Sequence, residues 1–98
     1  MIDLNKLSKE SYETAVKRGL GDNDLQTLKH CAGEVIEAGM SLTNWYCECN
    51  MQTQVSYQSE LADVMMCILT IFGNHEWDIE QALQDCLEKN KARIKNDN

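Results

Sequence analysis

The sequence predicts an all-α fold, a helical bundle of about four helices. Two observations are compositional: the 98 residues contain no proline, and only 6% are aromatic. Both suit long helices, since proline is the commonest helix breaker. The third is periodic: apolar residues recur at steps of three and four instead of alternating. The length makes one domain, residues 1–98, with no room for a second core. A chain this short buries a modest share of its surface, which favours help from a partner subunit.

The first helix is expected from about Asn5 to Arg18, ended by Gly19 and Gly21. It is the least periodic of the four. The second runs from about Asp24 to Trp45, capped by Asp22 or Asn23. Leu25, Leu28, Ala32, Val35, Gly39 and Leu42 make one stripe on it, read as its buried face. A polar stretch, Tyr46 to Ser56, lacks periodicity and reads as a loop. The third helix is expected from about Tyr57 to Asn74, with Ser56 as cap. The fourth starts at Asp78, which forms a capping-box pattern with Gln81. Its stripe is Ile79, Leu83, Cys86 or Leu87, and Ile94. The tail, Lys95 to Asn98, is expected to fray.

The third helix is apolar on nearly every face from Val64 to Phe72, with Thr70 the only break. A helix apolar all round is buried all round. Three other short helices are too little cover, so self-association through this helix, as a homodimer, is expected. The run is too short to span a bilayer, and no signal peptide is visible before Lys9.

The net charge of −7 excludes a general nucleic-acid surface, which must be basic, and disfavours anionic membranes. It leaves room for a cation. Cys31, Cys67 and Cys86 fall inside helices as small apolar residues, while Cys47 and Cys49 have no matching second pair. A structural zinc needs four ligands that this spacing does not supply. A reduced, cytoplasmic protein is the simpler expectation.

Glu34 and Glu37 are three residues apart on the second helix, and Glu60 and Asp63 are three apart on the third. That step puts each pair on one helix face. One pair alone reads as an ordinary solvated face. Two pairs, each bordering an apolar stripe, would repel strongly unless a divalent cation bridges them. All-oxygen ligation suits Mg²⁺, Mn²⁺ or Ca²⁺ better than zinc, and Mg²⁺ is the one that often shares its shell with substrate phosphates. A di-iron bundle needs Glu-x-x-His steps, and none is present. Asn90 falls on the stripe of the fourth helix beside Lys89, Lys91 and Arg93. Those cations suit phosphate oxygens, and equally the dipole of a helix C-terminus. Trp45 and Trp77 sit at helix ends, where each either stacks on a base or caps the bundle.

Three motifs in this order resemble the MazG-like all-α nucleoside triphosphate pyrophosphatases: Gly33-Glu34-Val35-Ile36-Glu37-Ala38, Glu60-Leu61-Ala62-Asp63-Val64 and Glu88-Lys89-Asn90-Lys91-Ala92-Arg93. The segment Ser11 to Ala15 is also similar to small members. The resemblance implies Mg²⁺-dependent cleavage of a nucleoside triphosphate, ribo or deoxy, to the monophosphate and pyrophosphate. It implies a helical dimer or tetramer with sites near the subunit interface. Glu34, Glu37, Glu60 and Asp63 would hold the metal, with Glu37 or Glu34 as catalytic base. Lys89, Asn90 and Arg93 would contact phosphate or sugar.

One departure matters. Where many members carry a Glu pair before the glycine, this chain has His30 and Cys31. In one register Glu34 and Glu37 form the metal pair. In the other, Cys31 replaces a ligand, and the protein is a catalytically silent nucleotide- or metal-binding relative.

Overall fold

The computed structural model describes residues 2–97, and all the regular structure in them is helical. The helices are α1 (Leu4–Lys17), α2 (Asp24–Cys47), α3 (Met51–His75) and α4 (Ile79–Asp97). The four-helix all-α expectation holds.

α1 starts at Asp3, whose carboxylate accepts from the Lys6 N–H at 3.1 Å. Gly19 and Gly21 end it as expected, both at positive φ (77° and 89°), where glycine carries no steric penalty. Its weak apolar periodicity has a physical reason: its buried face is serine. The Ser8 hydroxyl donates to the Leu69 carbonyl at 2.6 Å. Ser11 donates to the Met66 carbonyl at 3.2 Å and lies 2.7 Å from the Thr70 hydroxyl. These small residues let α1 lie close against α3. At the crossing, a Cβ on Gly73 would strike the Ser8 carbonyl oxygen and approach the Tyr12 Cβ to 2.8 Å.

Of the two candidate caps for α2, Asn23 is the one used, accepting from the Gln26 N–H at 3.2 Å. The expected loop over Tyr46–Ser56 is corrected. α2 continues to Cys47 and α3 begins at Met51. The cap is Asn50, not Ser56. Its side chain accepts from the Thr53 N–H at 2.9 Å while the Thr53 hydroxyl accepts from the Asn50 N–H at 3.2 Å. That reciprocal pair satisfies two helix-end donors and holds a polar first turn in helix. The short turn makes α2 and α3 an antiparallel hairpin. Its far end is tied by His75 Nε2 to Asp24 Oδ2, 2.6 Å apart.

α4 packs chiefly on α1. Asn5 clamps its start: its amide oxygen accepts from the Ile79 N–H at 2.9 Å, and its amide nitrogen donates to Asp78 and Glu80 at 3.0 Å. Asp78 caps α4 through the Gln81 N–H at 3.0 Å. The expected box is only half made, because the Gln81 side chain donates to Asp85 instead. Beyond Ala82, the side chains described on α4 are all exposed.

The expected burial of α2 and α3 is corrected within one chain. On α2, the face against α3 carries Cys31 and Ala38, with Glu34 between them half-buried. Leu25, Leu28 and Val35, from the predicted core stripe, are exposed, Val35 by 52%. On α3 only Cys67, Leu69 and Thr70 are buried, while Leu61, Met65 and Ile68 are exposed. The chain thus leaves apolar faces of its two longest helices uncovered. α3 is also long and apolar enough to cross a membrane by length and composition alone.

Candidate metal centre

The hairpin brings the two acidic pairs face to face. Glu34 and Glu37 come from adjoining turns of α2, and Glu60 from the opposed face of α3. One carboxylate oxygen from each of these three lies within 4.8 Å of the others. Asp63, one turn further along α3, is outside that closest group, but its charge reaches Glu60. The convergence follows from the spacing: a step of three keeps each pair on one side of its helix, and the Asn50 turn sets the register between helices.

Two of the acids are partly withdrawn from water. The Glu34 side chain is 14% exposed. Its Oε1 lies 3.1 Å from His30 Nε2, one turn back. Its Oε2 is buried without a hydrogen-bond partner, and so is Oε2 of Glu60. Buried carboxylate oxygens without donors are rare and costly. Burial, and then the charges of Glu37, Asp63 and Glu34, hold the Glu60 carboxyl above the usual carboxylate range. Like charges brought together and deprived of solvent resist ionising together. A divalent cation would relieve that repulsion and give the orphaned oxygens a partner. The donor set is all oxygen, which fits Mg²⁺ or Mn²⁺.

Cys31 lies buried one turn before Glu34, its thiol 4.0 Å from the Val64 carbonyl. Cys67 is buried nearby, and burial pushes its thiol up to about 11. It is an inert packing thiol at neutral pH. The convergent ligand atoms include a Glu37 oxygen and not the Cys31 sulfur.

Beside the acids, α1, α2 and α3 enclose a cleft of about 690 Å³. Glu34 and Asp63 line it together with Arg18, Gln26, Thr27 and His30. Arg18 and His30 are site-lining residues that sequence reasoning did not place there. His30 was readable as four residues before Glu34. Arg18 was not, because only the crossing of α1 over α3 brings it to the cleft.

Lys89, Asn90 and Arg93 are exposed on α4, and none lines this cleft. Lys91 pairs with Glu88 at 3.6 Å. Both tryptophans rest on the protein's own rings. Trp45 stacks on Tyr57, centroids 5.7 Å apart, across the α2–α3 turn. Trp77 stacks on His75 at 4.1 Å and meets Phe72 edge-on.

No protein-family model matches the chain, and no curated protein or solved structure matches it.

Proposed function

We propose that this chain is a Mg²⁺-dependent nucleoside triphosphate pyrophosphohydrolase of the MazG-like kind. The observation that carries the reading is the pair of buried, partnerless carboxylate oxygens on Glu34 and Glu60 within a convergent acidic group. Glu34, Glu37, Glu60 and Asp63 would hold the cation. When bound, Mg²⁺ supplies neutralisation of phosphate-oxygen charge and polarises the site. Glu37 is the exposed member of the three convergent acids, so it is best placed to take a proton from an attacking water. Glu34 is the other candidate base, but its Oε1 is already engaged by His30.

Homo-oligomerisation belongs to the same reading. The chain exposes 7536 Å², whereas a compact monomer of its mass exposes about 5700 Å². Its radius of gyration is 15.9 Å, against about 13 Å for a compact domain of 100 residues. The uncovered faces of α2 and α3 suit a second copy, as a homodimer or homotetramer. Lys89, Asn90 and Arg93 remain substrate-contact candidates only in such an assembly. Five free cysteines suit a reducing, cytoplasmic setting.

The test is pyrophosphate release from a panel of ribo- and deoxyribonucleoside triphosphates, with and without Mg²⁺. Release from at least one, dependent on Mg²⁺, is expected. No release from any of them sinks the enzyme reading. A second reading, a silent binding protein of the same fold, draws on Cys31, buried one turn before Glu34 where many members of the MazG-like group that the sequence resembles carry an acid. It predicts that Mg²⁺ raises the melting temperature, because a ligand bound only to the folded state stabilises it, without turnover.

A further inference from the structure

The cleft beside the carboxylates carries both signs of charge. Glu10, Glu34 and Asp63 line it, and Arg18 is the guanidinium in the same lining. Arg18 is the C-cap of α1, its N–H held by the Thr14 and Ala15 carbonyls at 3.2 and 3.0 Å. The turn that follows closes tightly under it: Gly21 is buried, and a Cβ there would lie 2.8 Å from the Ala15 Cβ. Among the described residues no carboxylate lies within 4.0 Å of the Arg18 guanidinium. Gln26 and Thr27, from the first turns of α2, line the cleft too. The start of that helix adds partial positive charge.

We propose that Arg18 binds the phosphates that leave, so that the β and γ phosphates of a triphosphate reach across the cleft from an α phosphate held beside the carboxylates. This rests on the pyrophosphohydrolase reading. In that reaction the water oxygen bonds to the α phosphorus and the bridging bond from that phosphorus to oxygen breaks. The electron pair stays on the pyrophosphate oxygen, and the water proton passes to Glu37. Negative charge therefore grows on the leaving group. A guanidinium, planar and always charged, matches two phosphate oxygens at once. Arg18 selects ligands with a phosphate chain longer than one, and a nucleoside monophosphate leaves it idle.

The experiment is calorimetric titration of inorganic pyrophosphate, with Mg²⁺ present, into the full chain and its Arg18→Ala and Arg18→Lys variants. KM and kcat for a hydrolysed triphosphate, and inhibition by its monophosphate, are measured alongside. Arg18→Ala should weaken pyrophosphate about tenfold or more, the loss typical of a charge-assisted hydrogen bond. KM should rise in parallel, monophosphate inhibition should stay unchanged, and Arg18→Lys should restore part of the affinity. The side chain is exposed, so melting should match the parent. Equal pyrophosphate affinity in Arg18→Ala, no pyrophosphate binding by the parent, or a parallel loss of monophosphate affinity would each overturn the assignment. A parent that binds pyrophosphate through Arg18 but hydrolyses no triphosphate would keep Arg18 as a pyrophosphate contact and sink the hydrolase reading, and with it the leaving-group role.

Discussion

Glu60 concentrates the tension of the site in one side chain. Its carboxyl is held above the unfolded value near 4.5, first by burial and then by three neighbouring acids. Where the folded group binds its proton more tightly, stability falls as pH rises. The metal-free protein should therefore keep this contribution below about pH 4.5 and lose it as pH climbs through the raised folded value. Glu60→Gln should raise the metal-free melting temperature at pH 7 and flatten that pH dependence. Thermal melts across the range in chelator check this, and an unchanged profile counts against the crowding described. The acids themselves were legible in the sequence, because a step of three fixes a shared face on any helix. Arg18 was not, since its place depends on a crossing made by serine hydroxyls and Gly73, which leave no apolar period to read.

The helices show where local signals suffice and where they fail. Gly19 and Gly21 mark the end of α1 because both take positive φ. The start of α3 departs from the expectation because its first six residues, Met51 to Ser56, are polar and exposed at most positions. There the Asn50–Thr53 pair, and not periodicity, holds the helix. Asn50→Ala should cost about 1 kcal/mol. Gly73→Ala should cost more, about 3 kcal/mol, since α1 must move off α3 to admit a methyl group. Urea melts would order the two, and a neutral Gly73→Ala would contradict the close crossing. At the α3 C-terminus, Glu76 is left-handed (φ 56°), a conformation that strains residues with a Cβ. The far end of the hairpin carries a pH limb of opposite sign to that of Glu60. The hydrogen bond to His75, with help from Asn74, holds Asp24 below its ordinary value of 3.8. That contribution is present above the unfolded value and lost as pH falls through the lower folded one. Asp24→Asn should remove that acid-side loss, visible in melts below pH 4.

For the molecule as a whole, the α2 stripe is periodic as expected, but the face expected to be buried is exposed in the chain. On α2 the predicted core stripe lies about one position away from the face that meets α3. Cys31 and Ala38 go inward, and Leu25, Leu28 and Val35 stay outside. Periodicity reports that a face is to be covered, not which element covers it. If a second copy covers this one, sedimentation should give a dimer or tetramer at micromolar concentration, and Val35→Glu should shift it toward monomer. A parent that sediments as a monomer would contradict oligomeric cover.

Whether the acidic group is a cation site is decided by titrating Mg²⁺ calorimetrically into the chelator-treated protein and Glu60→Gln, side by side at pH 7. Saturable binding in the parent, abolished or greatly weakened in Glu60→Gln, is the expected result. No binding in the parent, or binding that Glu60→Gln leaves intact, would contradict the assignment of Glu34, Glu37, Glu60 and Asp63 as the metal centre.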